Sequence, residues 1–184
     1  MLTEGAIMVA LATVLSFIVI YRLPWDGAIT LLSMLPICLY SIKYGVKKGL
    51  ITAFAYSLIQ FFQGIGLGLF GWGLSPMALV GCIFFDYIFA FTVIGFAGLW
   101  RTKGAVGWIG GTVFALFLRF ACHFVSGVLI FHSFGELWEG FSTNNTFLYS
   151  LLYNGSYMLP EMVFTAIGAF ILFKIPQTRK MLSL

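Results

Sequence analysis

Between Leu151 and Glu161 the chain reads LLYNGSYMLPE, a polar insertion in an otherwise apolar run. Tyr149 and Tyr153 are one turn apart. Asn154, Tyr157 and Glu161 share a helix face at i, i+3 and i+7. Two other apolar runs carry charges: Asp86 in one, Arg119 with His123 at i+4 in the next, where Ser126 extends the face. Together they offer carboxylate, guanidinium, imidazole, phenol and amide groups among aromatic rings. Such a set suits a flat, partly charged heterocycle held by stacking and cation–π attraction. It suits a metal ion poorly, and no cofactor is implied. No GxSxG, HExxH or GxxxxGK[ST] motif occurs, so neither an enzyme nor a P-loop ATPase is indicated.

Charged groups in hydrocarbon are costly and face a cavity or a partner, so the spans that carry them must be defined. The 184 residues are 61% hydrophobic and 9% charged, against about 25% charged in soluble domains. The bilayer is therefore the main solvent, and the fold class is an all-α, polytopic membrane protein. Apolar runs long enough to cross about 30 Å of hydrocarbon fall at 5–22, 28–46, 49–70, 78–100, 105–132 and 147–175. The connections between them are short, which implies six helices in a single transmembrane domain over 1–184. The first run lacks a basic leader and reads as a retained span. Cys38, Cys82 and Cys122 lie in apolar runs and read as packing residues.

Basic residues fall in alternate connections. Lys43, Lys47, Lys48, Arg101, Lys103, Lys174, Arg179 and Lys180 lie on one side, and Arg22 lies on the other. The positive-inside rule then places both termini in the cytoplasm. No basic patch of the kind that binds nucleic acid is present. At ~1.5 Å per residue, Asp86 lies about 12 Å and His123 about 13 Å below the outer surface. Gln60, Gln63, Tyr149, Tyr153 and Asn154 lie in the same outer half. The expectation is a pocket that opens outward.

Five segments, LTEGAIMVALA, SMLPICLYSIKYG, DYIFAFTVIGFAGLW, RFACHFVSG and YSLLYNG, resemble in order and spacing the thiamine-specific S component of energy-coupling factor (ECF) transporters, the ThiT family. The resemblance implies a six-helix subunit of a bacterial plasma membrane that binds thiamine from outside. Its partners would be a transmembrane coupling subunit and two cytoplasmic ATPases. The family's acidic–Tyr pair corresponds to Asp86 and Tyr87, its basic residue and His to Arg119 and His123, and its Tyr and Asn to Tyr149 and Asn154. Its small-xxx-small docking face corresponds to Ala6 and Ala10, where close helix approach is possible.

This chain departs from the family in having Asp for Glu and Arg for Lys, which is a different donor. It also has Phe131, followed by His132, where a stacking Trp is expected; Trp25 or Trp138 would then supply the ring. On the same resemblance, Tyr149 and Asn154 hydrogen-bond the ligand, and Tyr153 and Tyr157 line or close the pocket. Asp86 accepts from the aminopyrimidine or neutralises the thiazolium. Glu161 pairs with Arg119 or balances a cationic ligand. Two alternatives stay open: an S component for another vitamin or a thiamine precursor, and a proton-coupled secondary transporter using Asp86, Arg119 and His123.

Overall fold

A computed structural model describes residues 1–23, 27–132 and 135–182. Among the described residues, four helices are long and apolar enough to cross a membrane: α3 (Val46–Gly66), α4 (Pro76–Gly98), α5 (Gly104–Leu129) and α6 (Thr146–Lys174). They match the last four expected spans to within a few residues. With them stand two shorter helices, α1 (Leu2–Ser16) and α2 (Leu35–Tyr44), and a terminal helix α7 (Pro176–Leu182). The protein is a multi-pass membrane protein.

The first two expected spans are corrected. The run 5–22 is helical only to Ser16, and its end is the strand β1 (Val19–Arg22). The run 28–46 opens with β2 (Ala28–Thr30) and is helical only from Leu35. β1 and β2 pair antiparallel, with Val19 opposite Thr30 and Arg22 opposite Ala28. The sequence supplies the reasons. Ile18, Val19 and Ile20 are β-branched, which favours extended backbone. Pro36 sits in the first turn of α2, where its missing N–H costs nothing. A second hairpin, β3 (Gly135–Trp138) with β4 (Phe141–Thr143), joins α5 to α6. β1 and β2 line a cavity, a setting in which non-helical backbone is tolerated even within a membrane.

The core lies where α2, α3, α4 and α5 converge on Ile37, Cys38, Tyr56, Ile94, Ala115 and Leu116. At its tight end Ser41 Oγ donates to the Gly95 carbonyl at 2.5 Å and accepts from the Gly98 amide at 3.0 Å. A Cβ on Gly95 would strike the backbone of Gly49 and Leu50. This is small-residue packing, which brings helix backbones together. Gly45 turns the chain from α2 into α3 at φ +84°, a conformation that favours glycine. Nearby, Arg101 Nη1 donates to the Lys43 carbonyl at 2.8 Å, satisfying the end of α2. Lys43 also pairs with Glu4 at 2.7 Å and ties α1 to α2.

α4 is not a uniform helix. Pro76–Cys82 is α-helical, Ile83–Phe89 winds as a π-helix, and Val93–Gly98 tightens to 3₁₀. Ser75 caps the first segment by accepting from the Ala78 amide. A π-helical stretch inside a helix is uncommon and concentrates at functional sites; here it carries Asp86 and Tyr87. In α6, Pro160 lies inside a helix that continues through it.

Candidate ligand-binding site

At the end opposite the glycine contacts the helices part around a cavity of about 450 Å³. That volume is within the range of small-molecule pockets, about 300–1,000 Å³. β1 and β2 form one wall, α3 a second, and α4, α5 and α6 the remainder. Asp86, Tyr87, Arg119, His123, Phe131, Tyr149, Tyr153 and Asn154, all singled out in the sequence, line it. Tyr157 lines it as well.

The centre of the site is an acid–imidazole contact. Asp86 Oδ1 is 2.8 Å from His123 Nδ1, and Ser126 donates to the second carboxylate oxygen. Engaging both oxygens fixes the carboxylate plane. His123 Nε2 is buried without a partner among the described residues, and the ring meets Tyr157 edge-on at 6.1 Å.

Arg119 stands one turn before His123 on α5 and is 8% exposed. Its guanidinium lies 4.4 Å from the Phe91 ring centroid, and Nη1 is 2.8 Å from the Met34 sulfur. Nε has no partner among the described residues. A thioether and a ring face are weak company for a buried guanidinium, which binds planar acceptors best. Among the described residues no ion pair joins Arg119 to Asp86 or Glu161. The pairing of Glu161 with Arg119 considered above is therefore corrected: desolvation at this depth is met by the ring and the sulfur instead.

Asn154 is committed to the protein. Its Nδ2 donates to the Ser150 carbonyl at 2.9 Å and the His123 carbonyl at 3.3 Å, and its Oδ1 accepts from Tyr157 at 2.9 Å. One lone pair of Oδ1 remains. Asn154 thereby locks α6 to α5 at the level of His123. Gly127 permits this approach, because a Cβ there would strike Ser150. Gly64 does the same on α3, where a Cβ would strike the Tyr87 ring.

Aromatic rings surround these polar groups. Tyr149 stacks on Tyr153 with centroids 6.2 Å apart and planes at 16°. Phe131 lies 6.2 Å from Trp72, and both line the cavity. Trp138 packs on Phe141 and is not among the lining residues, while Trp25 lies outside the described residues. Among the described residues, the indole on the cavity wall is Trp72, brought there by the turn after α3. On the α3 wall, Gln60 Nε2 donates to Gln63 Oε1 at 2.8 Å and Gln63 Nε2 donates to Ser16 Oγ at 3.1 Å.

Glu161 is placed apart from this set. It is 1% exposed and is not a lining residue. It accepts from Thr30, whose side of β2 does line the cavity. Thr30, Ser33, Ser16 and Ser150 are site residues the sequence did not single out. Isolated hydroxyls in apolar runs carry no spacing signal. Ala6 and Ala10 lie far along α1 from the cavity and are exposed.

The sequence profile of the thiamine transporter protein family (Thia_YuaJ) matches residues 2–181. The chain belongs to that family. Its members are transporters, not enzymes. Among relatives, the thiamine transporter ThiT of Bacillus subtilis is 34% identical over 94% of this chain and 89% of its own length. Among solved structures, ThiT from Listeria monocytogenes superposes with a TM-score of 0.74 at 24% identity. That match covers 96% of this chain and 94% of the other. The second likeness shows that the fold is shared by this family member.

Proposed function

We propose that this chain is the thiamine-binding S component of an ECF-type importer in a bacterial plasma membrane. The observation that carries the reading is the cavity itself, where a fixed carboxylate converges among aromatic rings with an imidazole nitrogen and a guanidinium nitrogen that have no partner among the described residues. Thiamine joins a neutral, acceptor-bearing aminopyrimidine to a cationic thiazolium. Arg119 repels the thiazolium and offers donors to ring nitrogens, so the aminopyrimidine turns towards Arg119 and His123 Nε2. The thiazolium then lies near Asp86 and the rings of Tyr149, Tyr153, Trp72 and Phe131, where cation–π attraction is available. Asn154 holds Tyr157 and the His123 backbone in register, and its free lone pair accepts from the ligand.

The whole chain forms one transmembrane domain of six spans, with α1 and α2 completing the set and both termini cytoplasmic. The asymmetry of basic residues supports this, and the same topology opens the cavity outward. A transmembrane coupling subunit and two cytoplasmic ATPases supply the energy. Ala6 and Ala10, exposed on α1, give the smooth face the coupling subunit needs.

Uptake of labelled thiamine into vesicles tests the reading. Import that requires ATP and the coupling module supports it, and Ala10→Trp should abolish import while leaving thiamine affinity unchanged. Import by the chain alone that collapses with the proton gradient would establish a secondary transporter. Displacement of thiamine by riboflavin or free hydroxymethylpyrimidine at equal concentration would reassign the ligand.

A further inference from the structure

Among the described residues, the one carboxylate buried beside the cavity without facing it is Glu161. Both its oxygens are engaged by a single residue: the Thr30 amide donates to Oε2 at 2.7 Å and the Thr30 hydroxyl to Oε1 at 2.6 Å. Ser33 Oγ lies 2.6 Å from Thr30 Oγ1 and extends the chain. Thr30 and Ser33 line the cavity, and Glu161 does not. Thr30 also ends β2, opposite Val19 of β1, which lines the same wall. A second tie, from the Gly27 amide to the Tyr153 hydroxyl, is longer at 3.2 Å and uncharged. Apolar contact of Leu23 and Ile29 with Tyr157 and Met158 completes the seam. With two short bonds to one carboxyl group, the contact at Glu161 is firmer than the one at Tyr153.

We propose that Glu161 is a positioning residue for ligand retention. Acting through Thr30, it fixes the β1–β2 wall against α6 and so slows ligand escape, without touching the ligand. This rests on the reading of the cavity as a thiamine site. Glu161→Met keeps the length of the unbranched side chain and removes both acceptors. Glu161→Gln keeps both contacts: its oxygen accepts from the Thr30 amide, its nitrogen donates to the Thr30 hydroxyl, and that hydroxyl turns to Ser33.

The test is thiamine dissociation from detergent-purified protein, chased with excess unlabelled ligand. Glu161→Met should speed dissociation about tenfold or more, with association little changed, while Glu161→Gln stays within about threefold of wild type. Thr30→Val should give an intermediate effect, and adding it to Glu161→Met should add less than the product of the two. If Glu161→Met does not fold, Thr30→Val decides. Amide exchange at Ala28–Thr30 in ligand-free protein gives a readout independent of thiamine: Glu161→Met should quicken it and Glu161→Gln should not. Wild-type dissociation rates in Glu161→Met, or in Thr30→Val where Glu161→Met fails to fold, overturn the proposal. Unchanged exchange in Glu161→Met overturns it too. A wild type that binds no thiamine sinks the ligand reading alone, and exchange still judges Glu161.

Discussion

At one end of the bundle Ser41 is wedged between Gly95 and Gly98, and the backbones of α2, α3 and α4 nearly touch. At the other end the long helices separate around a cavity of about 450 Å³. α3 and α4 take part in both ends. What differs is what the small residues meet: at the closed end Gly95 faces backbone, whereas at the open end Gly64 and Gly127 face the side chains of Tyr87 and Ser150, among tyrosine, histidine, glutamine and arginine. Close packing in a bilayer comes from small side chains and van der Waals contact. A cavity must instead be held open by hydrogen bonds that define its walls, as Asp86, Asn154 and Glu161 do here. The closed end is therefore where bulk destroys the fold, and the open end is where lost polar groups alter binding.

Gly95→Leu should break this contrast most severely. Overpacking costs about 1–3 kcal/mol even where neighbours can shift, and here the obstacle is the backbone of Gly49 and Leu50. Loss of folded protein on size exclusion is the expected result. Asp86→Asn acts at the open end and should leave the fold intact. It removes a charge-assisted acceptor from His123 and Ser126, and thiamine affinity should fall about 10- to 100-fold. Asn154→Ala frees the Tyr157 hydroxyl and unfastens α6 from the His123 carbonyl. Affinity should drop about tenfold, with a modest loss of thermal stability. Glu4→Gln marks the lower limit: it weakens a partly exposed pair with Lys43, and such pairs contribute about 1 kcal/mol or less. Its melting temperature should shift by only a few degrees and its affinity not at all.

Much of the open end was legible in the sequence. Topology and helix rise give Asp86 and His123 nearly equal depth, and in the structure they touch. Charge in hydrocarbon is a strong signal because it needs a compensating partner. The two hairpins were not legible. An apolar run such as FIVIY has no periodicity that separates strand from helix, and length alone favoured the helix. Trp72 falls in the connection after α3, and the turn at Leu69–Gly71 that brings it to the cavity leaves no mark beyond a few glycines. Glu161 was visible as a buried charge, but its partner was not. Thr30 is 131 positions away, and nothing local to either residue names the other.

The most direct measurement is a titration of thiamine into the detergent-purified chain, followed by intrinsic tryptophan fluorescence, with Asp86→Asn in parallel. Five tryptophans are present, and Trp72 lines the cavity. Saturable one-to-one quenching at nanomolar thiamine, weakened at least about tenfold in Asp86→Asn, is the expected result. Folded wild-type protein that shows no response up to high micromolar thiamine, or equal affinity in the two proteins, would contradict the assignment of this cavity to thiamine.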